Sequence, residues 1–190
     1  DFRLYYNFNK QNKLVGRIYT GIGLPYGNSD FLPYQKQFYA GGPSSLRAFH
    51  TRSVGPGFYT PPDSLDSGSD LKQAGDIKLE VNLEYRFKII KFFKGALFLD
   101  AGNVWLLKED DQIPGGAFNA SSFIQELAVG TGAGIRFDAS FIVLRLDLAF
   151  PLRKPVPEYN MSWQFESIDV LNPEWRKENL VFNLAIGYPF

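Results

Sequence analysis

Residues 77–87 read IKLEVNLEYRF, and this stretch decides the fold class. Successive side chains of a β-strand point to opposite faces. One face then carries Ile77, Leu79, Val81, Leu83, Tyr85 and Phe87, and the other carries Lys78, Glu80, Asn82, Glu84 and Arg86. The same period of two recurs at Phe2–Asn9, Leu14–Leu24, Leu127–Phe137, Ile142–Phe150 and Leu180–Phe190. Ala96–Trp105 is apolar on both faces apart from Asp100 and Asn103, which makes seven expected strands.

The links between these strands alternate in length. Lys10–Lys13, Ile89–Gly95 and Asp138–Phe141 are short, whereas Pro25–Asp76, Leu106–Glu126 and Pro151–Asn179 are long and rich in Gly, Pro, Asp, Asn and Ser. Antiparallel up-and-down strands place all short links at one end and all long links at the other, as outer-membrane barrels do. Each strand has the roughly 9–11 residues that a tilted strand needs to cross a bilayer. A soluble β-sandwich also alternates. The wide apolar faces with Phe2, Tyr85, Phe87, Tyr188 and Phe190 near strand ends fit the aromatic girdles of a membrane barrel better. A lipid-facing sheet must close, and seven strands is an odd number, so further strands are expected before Asp1.

Composition narrows the chemistry. The chain has 190 residues, with 20 Lys plus Arg balanced by 20 Asp plus Glu. With no global basic field, a nucleic-acid partner is not expected. There is no Cys, which excludes disulfides, thiolate metal sites and a Cys nucleophile, and a single His, His50, excludes two-imidazole zinc sites. No run of 18 apolar residues offers a transmembrane helix, and no signal-peptide pattern opens the chain. It begins at Asp1 inside an alternating segment, as a piece of a longer protein would.

The longest link contains FYAGGPSSLRAF (38–49) and SVGPG (53–57). Gly41-Gly42 and Gly55-Pro56-Gly57 are sharp turn signals, so this loop has a specified shape. If it folds back into the barrel, Arg47, between Leu46 and Phe49, loses water and needs acidic partners, and the inward faces offer Glu80, Glu84, Asp100 and Asp147.

On these residues the chain resembles the BamA/TamA family of outer-membrane assembly factors, the bacterial surface antigen family. GGPSSLRAF followed by SVGPG is similar to that family's sixth extracellular loop, with Leu46, Arg47 and Phe49 in place and Ala48 where the family has Gly. GDIKLEVNLEYRF (75–87), GALFLDAGNVW (95–105), the hairpin over Ala128–Leu152 and FNLAIGYPF (182–190) follow in the family's order. The resemblance covers essentially the whole chain, and Ile22–Gly27 with Leu180–Phe190 is similar to the TamL-like branch of Bacteroidetes. It implies the last seven strands of a sixteen-stranded barrel in a Gram-negative outer membrane. Nine strands and periplasmic POTRA domains would precede Asp1, and the loop over 25–76 would fold into the lumen. It implies a factor that inserts or translocates outer-membrane or surface proteins. Its partners would be outer-membrane lipid, unfolded client proteins and other subunits of the assembly machinery.

The resemblance also assigns roles. Arg47 would pair with Glu84 and Asp100, pinning the motif Gly41, Gly42, Leu46, Arg47, Ala48, Phe49 inside the barrel. Phe190 would act as the insertion signal. The strand carrying Phe182, Leu184, Ile186, Gly187, Tyr188 and Phe190 would close weakly onto the first strand, and Gly187 and Pro189 suit a weak seam. If Ala48 had to adopt positive φ, the change from Gly would cost about 1 kcal/mol.

No enzyme, cofactor or metal site is expected. The inward carboxylates and cations read as a polar barrel lining. Gly130–Gly134 lacks the Lys and helix of a phosphate loop, and Glu109–Asp111 reads as a solvated loop tip. Asn119-Ala120-Ser121 carries little weight as a sequon, His50 reads as structural, and Trp163 and Trp175 read as loop packing or interface anchors. The alternatives are a passive porin or receptor barrel, and the barrel portion of a patatin-like lipase fusion.

Overall fold

The fold is known from a computed structural model, which describes residues 1–28, 32–60, 73–139, 142–156, 163–165 and 168–190. Parts of the links 25–76, 138–141 and 151–179 fall outside the described residues. The strands are β1 (Phe2–Asn7), β2 (Asn12–Ile22), β3 (Ile77–Ile90), β4 (Phe93–Trp105), β5 (Ala128–Asp138), β6 (Val143–Arg153) and β7 (Val181–Ile186). They form one seven-stranded sheet in the order β1-β2-β3-β4-β5-β6-β7, every neighbouring pair antiparallel. The fold is thus an all-β, up-and-down meander of barrel type, with no helix long and apolar enough to span a membrane among the described residues.

Burial in this sheet is inverted. Glu84 and Arg136 are 0% exposed, whereas Leu97 is 53% exposed and Ile186 is 74% exposed. In a water-soluble sheet the polar face lies outside. Here the outward face is a continuous apolar wall of Leu83, Leu97, Leu99, Ile135, Leu144, Leu146, Leu148, Phe182 and Leu184. A surface so large and apolar suits hydrocarbon. Near the short-link end it carries rings: Phe8 lies 6.3 Å from Tyr85, Tyr85 5.9 Å from Phe87, and Phe93 5.2 Å from Phe137.

The hydrophobic core lies between the inner face and the long loop. Ala40, Leu46, Ala48, Phe49 and Val54 of the loop pack on Phe98, Val104, Ala128 and Ala149 of the sheet. Phe38 bridges to Gly75 and Ala40 to Val54, so the loop is stitched into two short β-bridges before and after its motif.

Three elements depart from the sequence expectation. The link expected at Ile89–Gly95 tightens to a two-residue turn, because β3 runs to Ile90 and β4 starts at Phe93. The last long link contains a helix, α1 (Pro173–Asn179), capped by the Asn172 side chain, which accepts from Glu174 N and Trp175 N. Trp175 of this helix packs 5.9 Å from Phe150 on the outer wall. The strand expected over Leu180–Phe190 stops at Ile186. Gly187 takes φ +87°, a conformation that a side chain disfavours, and the chain leaves the wall. Tyr188 and Phe190 therefore turn to the inner side and do not extend the apolar stripe.

The outward face predicts a depth-dependent penalty. Leu146→Arg, in mid-strand on the outer wall, should cost about 2–4 kcal/mol of folded barrel in a bilayer. Heat-modifiability and urea titration of the full-length protein in liposomes would check this, with Leu146→Val as a near-neutral control.

Candidate functional site: the arginine loop on the inner face

The loop is bent by its own backbone. Gly41 and Gly42 take φ +103° and +104°, and a Cβ on Gly41 would lie 2.2 Å from His50 O. Gly42 N donates to Leu46 O and Phe49 O, Ser45 N to Gly42 O, and Phe49 N to Leu46 O. These bonds close a tight coil whose tip is Arg47.

Arg47 is fully buried. Its Nε donates to Asp100 Oδ2 and its Nη2 to Asp100 Oδ1, both at 2.8 Å, giving a bidentate pair. Its Nη1 donates to Glu84, and its backbone N adds a 3.1 Å bond to Asp100 Oδ2. The guanidinium also lies 3.6 Å from the centroid of the Phe98 ring. Burial alone disfavours the charge, but the hydrogen bonds and fields of Asp100 and Glu84 more than offset it, so the Arg47 pKa moves up.

The carboxylates are shared. Glu84 also takes Arg86 Nε at 2.7 Å and Arg136 Nη2 at 3.3 Å. Arg136 pairs with Asp147, and Asp147 with Arg145 Nε at 3.3 Å. Arg145 Nη2 then returns to the loop at Pro43 O, 2.7 Å. Asn82 Nδ2 donates 3.0 Å bonds to Asp100 Oδ1 and Ser45 O, and Ser45 OH donates to Glu80. The structure thus places Glu84 and Asp100 on Arg47 directly, Glu80 on Ser45, and Asp147 one step away through Arg136.

Ala48 does not adopt positive φ; among the described residues only Arg52 does so without being glycine. The anticipated strain is therefore absent. The space for its methyl comes from the facing strand. A Cβ on Gly130 would lie 2.2 Å from Ala48 Cβ, and one on Gly132 would lie 2.6 Å from the Phe98 ring that carries Arg47.

β7 joins the same site. Asn183 Nδ2 donates to Arg47 O at 2.8 Å. Beyond the Gly187 bend, Tyr188 OH donates to Asp138 Oδ2 at 3.2 Å, and its ring lies 4.4 Å from the Arg86 guanidinium. Phe190 is buried, 5.7 Å from Arg47 and 5.8 Å from Arg86. Phe182, Leu184 and Ile186 face outward instead. Sequence reasoning missed Asn183, Asn82 and Arg145 as partners of the loop. The inward parity of Asn82 and Asn183 on their strands was the available signal, but nothing in the sequence aims them at a loop carbonyl.

The remaining candidates lie elsewhere. His50 is exposed, with its carbonyl accepting from Ser53 N. Asp110 closes a turn by accepting from Gln112 N, and Asn119 accepts from Ser121 N. Trp163 stacks on Phe165 at 4.9 Å.

The chain matches the Omp85 superfamily domain over residues 1–187. It is similar to the outer membrane protein assembly factor BamA of Neisseria meningitidis serogroup B, 26% identical over 165 residues, which is 77% of this chain and 20% of that protein. The chain therefore spans about a fifth of the length of that relative. Its fold resembles BamA from Haemophilus ducreyi lacking POTRA domains 1–3, with TM-score 0.60 and 19% identity over 80% of this chain and 30% of that one. CdiB from Acinetobacter baumannii aligns with TM-score 0.47 and 18% identity over 97% of this chain and 25% of that one.

Two predictions follow from this packing. Gly130→Ala should destabilise the barrel by about 1–3 kcal/mol through overpacking, and Ala48→Gly should recover most of that loss. Additive losses in a double-mutant urea titration would show that the two positions do not compete for one space. Arg47→Ala, which strands two buried carboxylates, should cost about 3–5 kcal/mol, and Arg47→Lys should restore only part because it lacks the planar fork. Heat-modifiability and protease resistance of the full-length variants check both.

Proposed function

The chain belongs to the Omp85 superfamily, and from that premise we propose that it is the C-terminal part of an outer-membrane barrel that inserts or translocates other outer-membrane or surface proteins. Strands preceding β1 would complete the barrel, with the loop over 25–76 folded into its lumen. Outer-membrane lipid would bathe the wall, and unfolded client proteins and further assembly subunits would be its partners.

The observation that carries this reading is the joint anchoring of the loop and β7. A passive pore needs an open lumen, whereas here the inner face is covered by a loop held through a buried guanidinium. β7 pairs only with β6 among the described residues, has six residues, and is followed by Gly187 and Pro189. In the completed barrel this strand would close onto the first strand, and a short, weak pairing there would let an incoming strand add. Arg47 is the bracing residue, with Glu84 and Asp100 as its fixed partners. Phe190 is the insertion signal of the chain, and the seam strand works by templating, with no covalent step.

Site-specific photo-crosslinking tests the proposal. A photoreactive residue at Phe182 or Leu184 of the full-length protein should capture unfolded barrel precursors in cells, and one at Leu99 in the middle of the wall should not. Absence of precursor adducts at all three positions, with the barrel folded, would leave a passive barrel as the reading.

A further inference from the structure

We propose that the inner face at the short-link end of the sheet holds a binding site for a phosphoryl anion, a group common to lipid headgroups and free phosphates. The first observation is the register. Lys13 stands directly opposite Arg86, Lys88 opposite Lys94, Lys94 opposite Arg136, and Arg136 opposite Arg145. Like charges placed directly across a ladder destabilise it. One row thus carries four cations on four consecutive strands, β3 to β6, beside a second cross-strand cation pair between β2 and β3.

Carboxylates answer only part of this charge. Glu84 takes Arg86 and Arg136, Asp147 takes Arg136 and Arg145, and Asp138 takes Lys94 at 2.6 Å. Lys10, Lys13 and Lys88 have no acidic partner among the described residues. Arg145 Nη1 and Arg136 Nε are buried donors without a hydrogen-bond partner. The side chains of the row are therefore richer in donors than the fold itself consumes.

The second observation is a cavity beside this row, lined by Lys94 of the row and by the Lys13–Arg86 pair. It has a volume of about 410 Å³ and is lined by Lys10, Lys13, Arg86, Lys94 and Tyr188, with backbone and amide groups of the β1–β2 turn. No carboxylate lines it. Lys94 Nζ lies 3.3 Å from Tyr188 OH, and Tyr188 lies against Arg86, so the charged groups of β3 and β4 meet at one phenol. Lysine ammonium groups act as compact point charges, and arginine adds a fork of donors. Donors arriving from the β1–β2 turn, β2, β3 and β4 suit an anion that presents acceptors in several directions. A phosphoryl group offers three strong acceptor oxygens, more than a planar carboxylate. Walls of low dielectric concentrate the field of such a cleft and raise the local anion concentration.

The site does not depend on the assembly role. The test uses the full-length protein in phosphatidylcholine nanodiscs, titrated calorimetrically with inorganic pyrophosphate. A second arm uses nanodiscs doped with phosphatidylglycerol, in which lipid retained on the protein is counted by native mass spectrometry. The Lys13→Gln/Lys94→Gln variant should weaken binding at least tenfold, and Lys177→Gln on α1, at the long-link end, should leave it unchanged. Lys13→Gln alone should weaken binding at least threefold and spares the Lys94–Asp138 pair, which guards against a folding defect. Pyrophosphate binding that the variants lose identifies a free anion as ligand, and loss of retained phosphatidylglycerol alone identifies a lipid headgroup. Either result supports the site. Absence of binding in both arms, or binding indifferent to Lys13 and Lys94, overturns it.

Discussion

A single guanidinium, that of Arg47, decides whether the long loop and the sheet are one object. It is buried at 0% exposure and bonded at 2.8 Å twice to Asp100 and once more to Glu84. Buried ion pairs repay their desolvation poorly as sources of stability. Their attested value is in specifying one arrangement among many. That is the need here: a loop of this length has many compact alternatives, and only one of them brings a fork of donors to two carboxylates on adjacent strands. Leu46, Ala48 and Phe49 then supply the apolar contact that the charged inner face cannot make with itself.

The inverted burial of the sheet follows from the same constraint. A barrel wall spends its apolar residues on the bilayer, so its inner face is left with Glu80, Asn82, Glu84, Arg86, Asp100, Arg136, Arg145 and Asp147. Such a face holds together only if its charges satisfy one another or a visitor. The loop is that visitor for Asp100, Glu84, Glu80 and Arg145. The glycines of β5 keep the approach open, since a side chain at Gly130 would occupy the place of the Ala48 methyl.

Much of this was legible in the sequence, for physical reasons. A period of two survives any choice of boundary, so six strands and their faces could be read directly, while β4, apolar on both faces, was read without that signal. Turn positions were less legible where punctuation was missing. Ile89-Ile90-Lys91-Phe92-Phe93 contains no Gly, Pro, Asn or Asp, yet the chain reverses there in two residues. Helix α1 was not read, although Asn172, Pro173 and Glu174, an N-cap followed by residues suited to the first turn, carry its signal. The alternation of Tyr188 and Phe190 continued that of β7 and so hid the bend, because a positive φ at Gly187 leaves no trace in hydropathy. In the site, the type of partner that Arg47 needs was readable from charge and parity. The contacts of Arg47 with Asn183 and Phe190 were not, because they depend on how far the loop reaches across strands remote in sequence.

Those unread contacts link the two ends of the site. Asn183 holds the carbonyl of Arg47, and Phe190 lies beside both Arg47 and Arg86. The short edge strand β7 is therefore fastened on its inner side to the same cluster that fixes the loop. Along the sheet it pairs with β6 over six residues. The position of β7 is thus set by side chains of the loop cluster as well as by its ladder to β6. Loosening the arginine cluster would free β7 to move, and pairing at the edge of β7 would in turn bear on the cluster through Asn183 and Phe190. Coupling of that kind is reciprocal by thermodynamic necessity. The inner-face charges and the position of β7 are thus joined through Asn183 and Phe190.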